Sequence, residues 1–124
     1  KGIDDVFYIP HSRHTTVDIE KVRKEKDLVI LSESENTGLS IAKSRDNKKI
    51  FLTGHMEYDR DTLRAEYERD VARGLSIAPP KHYFLHDDPA QPAIFRWRSH
   101  AHLLFSNWLN YYVYQATPYD LKDL

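Results

Sequence analysis

The sequence predicts an α/β domain with short antiparallel strands and a buried C-terminal helix. Two apolar patterns carry that reading. Three strand-like runs, "DLVILSES", "GLSIAKS" and "KKIFLTG", follow one another across the turns "ENTG" and "RDNK". Spacing this tight suits antiparallel hairpins, because a parallel return needs a long crossover. Later, "SHAHLLFSNWLNYYVYQ" places Ala101, Leu104, Phe105, Trp108 and Tyr112 on one helical face, widened by Leu103, Leu109 and Val113. A helix apolar on most sides belongs inside a domain.

The remaining elements follow in chain order. "DVFYIP" (Asp5 to Pro10) is β-branched and aromatic enough for a short strand, closed by Pro10. The polar loop "HSRHT" comes next. "VDIEKVRKE" then repeats Val17, Ile19 and Val22 at roughly helical spacing, with Thr15 or Thr16 as N-cap and "KVRKEK" as a solvated face. Beyond the three strands, "RDTLRAEYERDVARGL" is a clear helix. Leu63, Tyr67 and Val71 form its stripe, Asp59 or Asp61 caps the start, and Gly74 stops it. "SIAPPKHYFLHDDPAQPA" is a long loop holding four of the six prolines, and such loops are often functional.

Composition narrows the function. With 124 residues, 40% hydrophobic and 30% charged, the chain is the size of one domain or a piece of a larger one. A net charge of −1 with interspersed acids and bases suits neither nucleic acid nor a membrane surface. Ser106, Asn107, Asn110 and Gln115 argue against a membrane span in the last helix. The absence of cysteine rules out a disulfide framework and fits a cytoplasmic protein. The opening "KGIDDVFYIP" lacks a signal-peptide pattern and reads as an entry into mid-domain. The apolar last helix also asks for more partner surface than three strands and two helices provide. The expectation is a missing segment or a tight oligomer.

The chemistry concentrates in "TGHMEYD". In extended backbone, residues i and i+2 project to one side, so His55 and Glu57 can meet at the end of a strand. The carboxylate would accept from one imidazole nitrogen and leave the other free as a general base. H-x-E is a simple pattern, equally that of a surface pair beside a turn. Gly54, beside the pair, permits close approach of substrate or backbone. No nucleophile accompanies them.

Taken together and in order, "PHSRHT", "TGHMEYD", "EYERD", "RWRSH" and "LLFSNWLNYYVYQATPYDL" resemble the homoserine O-acyltransferase family, the homoserine O-succinyltransferases and O-acetyltransferases. The resemblance runs from about Ile3 to Leu121. It implies the C-terminal portion of a class I glutamine amidotransferase-like (flavodoxin-like) three-layer α/β domain. Residues 1–124 would then be the C-terminal part of a single acyltransferase catalytic domain, whose cysteine nucleophile sits in an N-terminal part absent here.

On that resemblance His55 would be the base, and Glu57 would orient it and stabilise its charged form. Ser12, in "PHSRH", matches a position that contacts the amino-acid substrate. Arg69, in "EYERD", matches a substrate-binding arginine, and its guanidinium fork suits a carboxylate. From the residues alone, Ser12 is equally a loop hydroxyl bonding its own backbone. Arg69 is equally an ion-pair partner of Glu66 or Glu68 on the helix surface. The implied reaction passes an acyl group from acetyl-CoA or succinyl-CoA to a cysteine and then to homoserine, in ping-pong order. Acyl-CoA is the co-substrate, no metal or redox cofactor is called for, and the full-length enzyme is expected to be a homodimer.

The other histidine pairs, His11 with His14, His82 with His86 and His100 with His102, lack the further ligands of a zinc motif, so no metal site is expected. "RWRSH" either reaches toward the site or packs the last helix. Met56, and the Ala101–His102 pair after "RSH", depart from the family's usual residues. The donor is unreadable, because the residues that choose it lie mainly in the missing part. A serine acyltransferase, a glutamine amidotransferase-like enzyme, and a cysteine-free pseudoenzyme acting as a binding module stay open as alternatives. The isolated chain is expected to be inactive.

Overall fold

A computed structural model describes residues 1–117 and residue 122. Pro118 and Tyr119 of the "TPY" motif, and Leu121 at the end of the resemblance, lie outside the described residues. The three strands form as the spacing predicts. β1 (Leu28–Ser34), β2 (Gly38–Ser44) and β3 (Ile50–Leu52) make an antiparallel meander in the order β1-β2-β3. Gly38 (φ 69°) and Asn47 (φ 61°) supply the left-handed conformations that the two turns need. Asp46 accepts from Ser44 Oγ at 2.6 Å and Lys48 N at 3.1 Å, which holds its carboxyl below the usual range. Leu31 is extra on β1 and Ser40 on β2, so two opposed irregularities restore the register on either side. β2 carries the buried run Leu39 to Ala42.

The two N-terminal expectations need correction. α1 (Ile19–Lys24) forms, but its cap is Asp18, whose Oδ1 accepts from Glu20 N at 3.1 Å and Lys21 N at 3.2 Å. Thr15 and Thr16 lie too early to reach those amides. Asp5 to Pro10 joins no ladder. Residues 1–7 instead run beside the last helix. Asn107 Nδ2 donates to the Lys1 carbonyl at 2.8 Å, His100 Nε2 lies 3.0 Å from Asp4 Oδ2, and the Phe7 ring faces His100. Among the described residues β1 and β3 are the edge strands of the sheet, and this segment pairs with neither.

α2 (Thr62–Ala72) buries Leu63 and half-buries Tyr67, while Val71 of the predicted stripe is exposed. Asp61 occupies the cap position, yet its side chain makes no cap bond. Tyr83 takes that role: its hydroxyl donates to the Arg60 carbonyl and accepts from Arg64 N at 3.1 Å. Gly74 (φ 76°) ends the helix, donating to Val71 O at 2.9 Å.

The long proline-rich stretch is the principal surprise. It supplies most of the core: its Tyr83, Phe84 and Ala93 are buried with Trp97 and Leu63, and Tyr58, Tyr67 and Phe95 pack around them. A single antiparallel bridge joins Phe84 to Ala93. Arg64 reaches over the Phe84 ring and donates to Pro89 O at 3.2 Å and Gln91 O at 2.6 Å, tying α2 to the stretch.

α3 (Arg98–Trp108) runs on into a π-helical turn, Leu109–Tyr114. The expectation that this helix is buried fails within the described residues. Only Ala101 is buried, while Phe105, Trp108, Leu109 and Tyr114 are exposed. Its apolar breadth is greater than residues 1–7 can cover. No helix among the described residues is long and apolar enough to cross a membrane.

Because Tyr83 both caps α2 and fills the core, Tyr83→Phe should isolate the cap. We expect a loss of about 1–2 kcal/mol, seen as a lower urea midpoint at unchanged slope by Trp97 fluorescence. An unchanged midpoint would remove the cap assignment.

Candidate active site

The site is built where β3 ends. Thr53 continues the pairing, its N–H donating to Ser40 O at 3.0 Å, and Gly54 follows, buried. A Cβ on Gly54 would stand 2.3 Å from Ile9 Cγ2, 2.8 Å from His11 Nε2 and 2.9 Å from Pro10 O. Only glycine lets the Ile9–His11 backbone come this near. The approach is sealed by His55 N–H donating to Pro10 O at 2.8 Å. Met56, 2% exposed, anchors the next step in the core, so this departure from the family's usual residue is a packing position.

His55 Nδ1 lies 2.7 Å from Glu57 Oε1. The pair meets as predicted, but in a turn and not in extended backbone: Tyr58 N–H donates to His55 O at 3.4 Å. An ionised carboxylate only accepts, so Nδ1 carries the proton and Nε2 presents its lone pair. Nε2 has no hydrogen-bond partner among the described residues. The side chains are 37% and 59% exposed, so this hydrogen bond contributes only about 0–1 kcal/mol to stability. Its value is orientation.

Two aromatic and imidazole neighbours escaped the sequence reading. The Tyr58 ring stacks on His55 with centroids 4.4 Å apart and planes 11° apart, a contact worth about 0.5–1.5 kcal/mol. Its hydroxyl donates to Glu66 Oε1 at 2.8 Å, and burial with the adjacent Glu66 carboxylate pushes the phenol up to about 12. His11 sits on the other side, with Nδ1 buried and unbonded. Burial first, then the charges of Arg13 and His55, bring its imidazole down to about 4. His11 is therefore neutral at pH 7. The signal for both was adjacency, Tyr58 following Glu57 and His11 preceding Ser12, which gave no spatial information alone.

Arg69, on α2, bonds a neighbour the sequence reading did not name. Its Nε donates to Asp70 Oδ1 at 2.8 Å, and Asp70 holds the guanidinium above its ordinary value. Glu66 and Tyr58 lie near enough to act on the same charge. With Nε engaged and the side chain 49% exposed, the terminal nitrogens remain a fork for a carboxylate. Ser12 is half-buried, and among the described residues no hydrogen bond joins it to His55, Glu57 or Arg69. Its sequence neighbours reach toward both groups. His11 before it adjoins Gly54 and His55, Arg13 after it donates to the Thr37 carbonyl, and His14 adds to the field that lowers the Asp70 carboxyl.

"RWRSH" packs. Trp97 is buried and donates to Tyr58 O at 2.9 Å, Arg98 lies over Phe95 and Arg96 over Tyr8. A cavity of about 550 Å³ opens between residues 6–11, β1 and the proline-rich stretch. His11 lines it, but His55, Glu57 and Arg69 do not. Among the described residues no group of three His, Asp or Glu side chains could hold a metal.

Among the described residues, the α/β chain thus presents a carboxylate-held imidazole with an unbonded Nε2 and a half-exposed arginine with unbonded terminal nitrogens. Comparison with known proteins is specific. A model of the homoserine O-succinyltransferase family matches residues 1–119, and the chain belongs to that family. It is 57% identical over 124 residues to a homoserine O-acetyltransferase of Acetivibrio thermocellus, covering all of this chain and 41% of that protein. It is 59% identical over 120 residues to one of Geobacillus kaustophilus, covering 97% of this chain and 40% of that protein. A homoserine O-succinyltransferase of Shewanella frigidimarina is 54% identical over 124 residues, again with all of this chain and 40% of that protein covered. The chain thus spans about 40% of the length of these relatives. Relatives named for acetyl and for succinyl donors are similar to it at nearly equal identity.

His11 gives this site an acid-sensitive neighbour. Its folded pKa is lowered, so the stability it contributes is complete above its ordinary value of 6.5 and is lost as pH falls toward about 4. Between pH 7 and about pH 4, the wild type should lose about 2–3 kcal/mol more than His11→Gln by urea unfolding. Parallel losses in the two proteins would show that His11 is not held neutral.

Proposed function

We propose that these residues are the C-terminal part of the catalytic domain of a homoserine O-acyltransferase. The enzyme would move an acyl group from acetyl-CoA or succinyl-CoA to homoserine on the route to methionine, as a cytoplasmic homodimer of glutamine amidotransferase-like, three-layer fold. The observation that carries this reading is the 2.7 Å contact between His55 Nδ1 and Glu57 Oε1, with Nε2 unbonded. It is a general base in want of a nucleophile, in a chain with no cysteine and with the family match already described.

The steps follow from the groups. A cysteine from outside these residues loses its proton to His55 Nε2, and the thiolate attacks the thioester carbonyl of acyl-CoA. CoA leaves as a thiol, taking the proton back from His55. In the second half, the homoserine hydroxyl gives its proton to Nε2 as its oxygen attacks the acyl-cysteine, and the cysteine departs as thiol. Glu57 keeps the Nδ1 proton in place and stabilises the imidazolium of each half-reaction. Arg69 holds the homoserine carboxylate through its terminal nitrogens, and Ser12, between His11 and Arg13, bonds the same substrate. Because Nε is already bound to Asp70, the fork is fixed before substrate arrives, which lowers the entropy lost on binding.

The test is thiol release from acetyl-CoA and succinyl-CoA, with and without homoserine, by the full-length enzyme. Homoserine-dependent release from one ester identifies the donor. His55→Ala should lower the rate by about 100-fold or more, and Glu57→Gln should lower kcat with little change in KM. No homoserine-dependent release from either ester would overturn the assignment.

A further inference from the structure

Two successive proton transfers require the His55 ring to keep one orientation. Glu57 fixes one in-plane atom, Nδ1, from a side chain that is 59% exposed. A single hydrogen bond leaves the ring plane free to swing about it. What sets the plane is the Tyr58 ring, parallel to the imidazole at 4.4 Å. Tyr58 is itself held at three points. Its N–H donates to His55 O, its carbonyl accepts from Trp97 Nε1 at 2.9 Å, and its hydroxyl donates to Glu66 Oε1 at 2.8 Å. Glu66 Oε2 is buried without a partner among the described residues, so the Tyr58 hydroxyl is the bond that fixes that carboxylate. Glu66 precedes Arg69 by three positions on α2, on the same face, and acts on its charge. The Tyr58 hydroxyl therefore ties the turn that carries His55 to the helix that carries Arg69.

We propose that Tyr58 is a positioning residue of the acyl-transfer site. Its ring holds the plane of the His55 imidazole. Its hydroxyl, through Glu66, sets the separation between His55 and Arg69, and with it the length of amino acid whose hydroxyl reaches Nε2 while its carboxylate is held. Homoserine is one methylene longer than serine, so that separation is what distinguishes them. The inference rests on the homoserine acyltransferase reading.

Two substitutions separate the roles. Tyr58→Phe keeps the ring and removes the hydroxyl, while Tyr58→Leu removes both. In the full-length enzyme, Tyr58→Leu should lower kcat about 10- to 100-fold, and Tyr58→Phe should recover most of it. Tyr58→Phe should still raise KM for homoserine several-fold and narrow the preference for homoserine over serine in kcat/KM. In the same full-length enzyme, NMR of the His55 ring should show one tautomer in the wild type and exchanging forms in Tyr58→Leu. Wild-type kcat in Tyr58→Leu, equal loss of kcat in both variants, or an unchanged acceptor preference would overturn the proposal. If the wild-type enzyme releases no CoA in a homoserine-dependent way, the acyltransferase reading falls and takes the specificity role with it. The ring spectrum then decides alone whether Tyr58 orders His55.

Discussion

The arrangement depends on the missing side chain of Gly54. Because no Cβ stands there, the Ile9–His11 backbone reaches the end of β3, and the Pro10 carbonyl accepts from His55. That bond joins two segments more than forty residues apart in sequence. It fixes where His55 leaves the sheet and brings His11 beside it. The other support is Trp97, whose indole N–H holds the Tyr58 carbonyl from the opposite side. The His55–Tyr58 turn is thus gripped through its backbone at both ends, and the His55 ring keeps Nε2 unbonded among the described residues.

Electrostatics follows from the same packing. His11 is buried and uncharged, so His55 does not share its surroundings with a second imidazolium at neutral pH. The Tyr58 phenol, raised by burial and Glu66, stays protonated and remains a donor. The permanent charges of the region are the Glu57, Glu66 and Asp70 carboxylates and the Arg13, Arg69 and Arg73 guanidiniums. Glu57 bonds the His55 ring at 2.7 Å, and a carboxylate at that distance favours the imidazolium when a proton arrives.

The sequence disclosed what depends on local spacing. The three strands and their turns, the stop at Gly74 and the meeting of His55 with Glu57 were all legible, since each is decided within a few residues. Long-range packing was not. Tyr83, Phe84 and Ala93 carry no period and lie among prolines, so nothing local marked them as core. The cap of α2 comes from Tyr83, nineteen residues from the Arg64 amide it accepts from, where a local rule pointed to Asp61. Asp5 to Pro10 had strand composition, but composition supplies no partner edge. The last helix had the apolar breadth of a buried element, and among the described residues nothing covers most of it. The family resemblance supplied what spacing could not, namely that a lone His–Glu pair belongs with a cysteine.

The central claim is that His55 activates a cysteine that carries the acyl group between two substrates. Mass spectrometry of the full-length enzyme mixed with acyl-CoA, without homoserine, tests it most directly. The account predicts one acyl group bound to one cysteine within the first turnover, discharged when homoserine is added and absent in His55→Ala. Homoserine-dependent turnover with no acyl adduct, or an adduct that forms undiminished in His55→Ala, would contradict it.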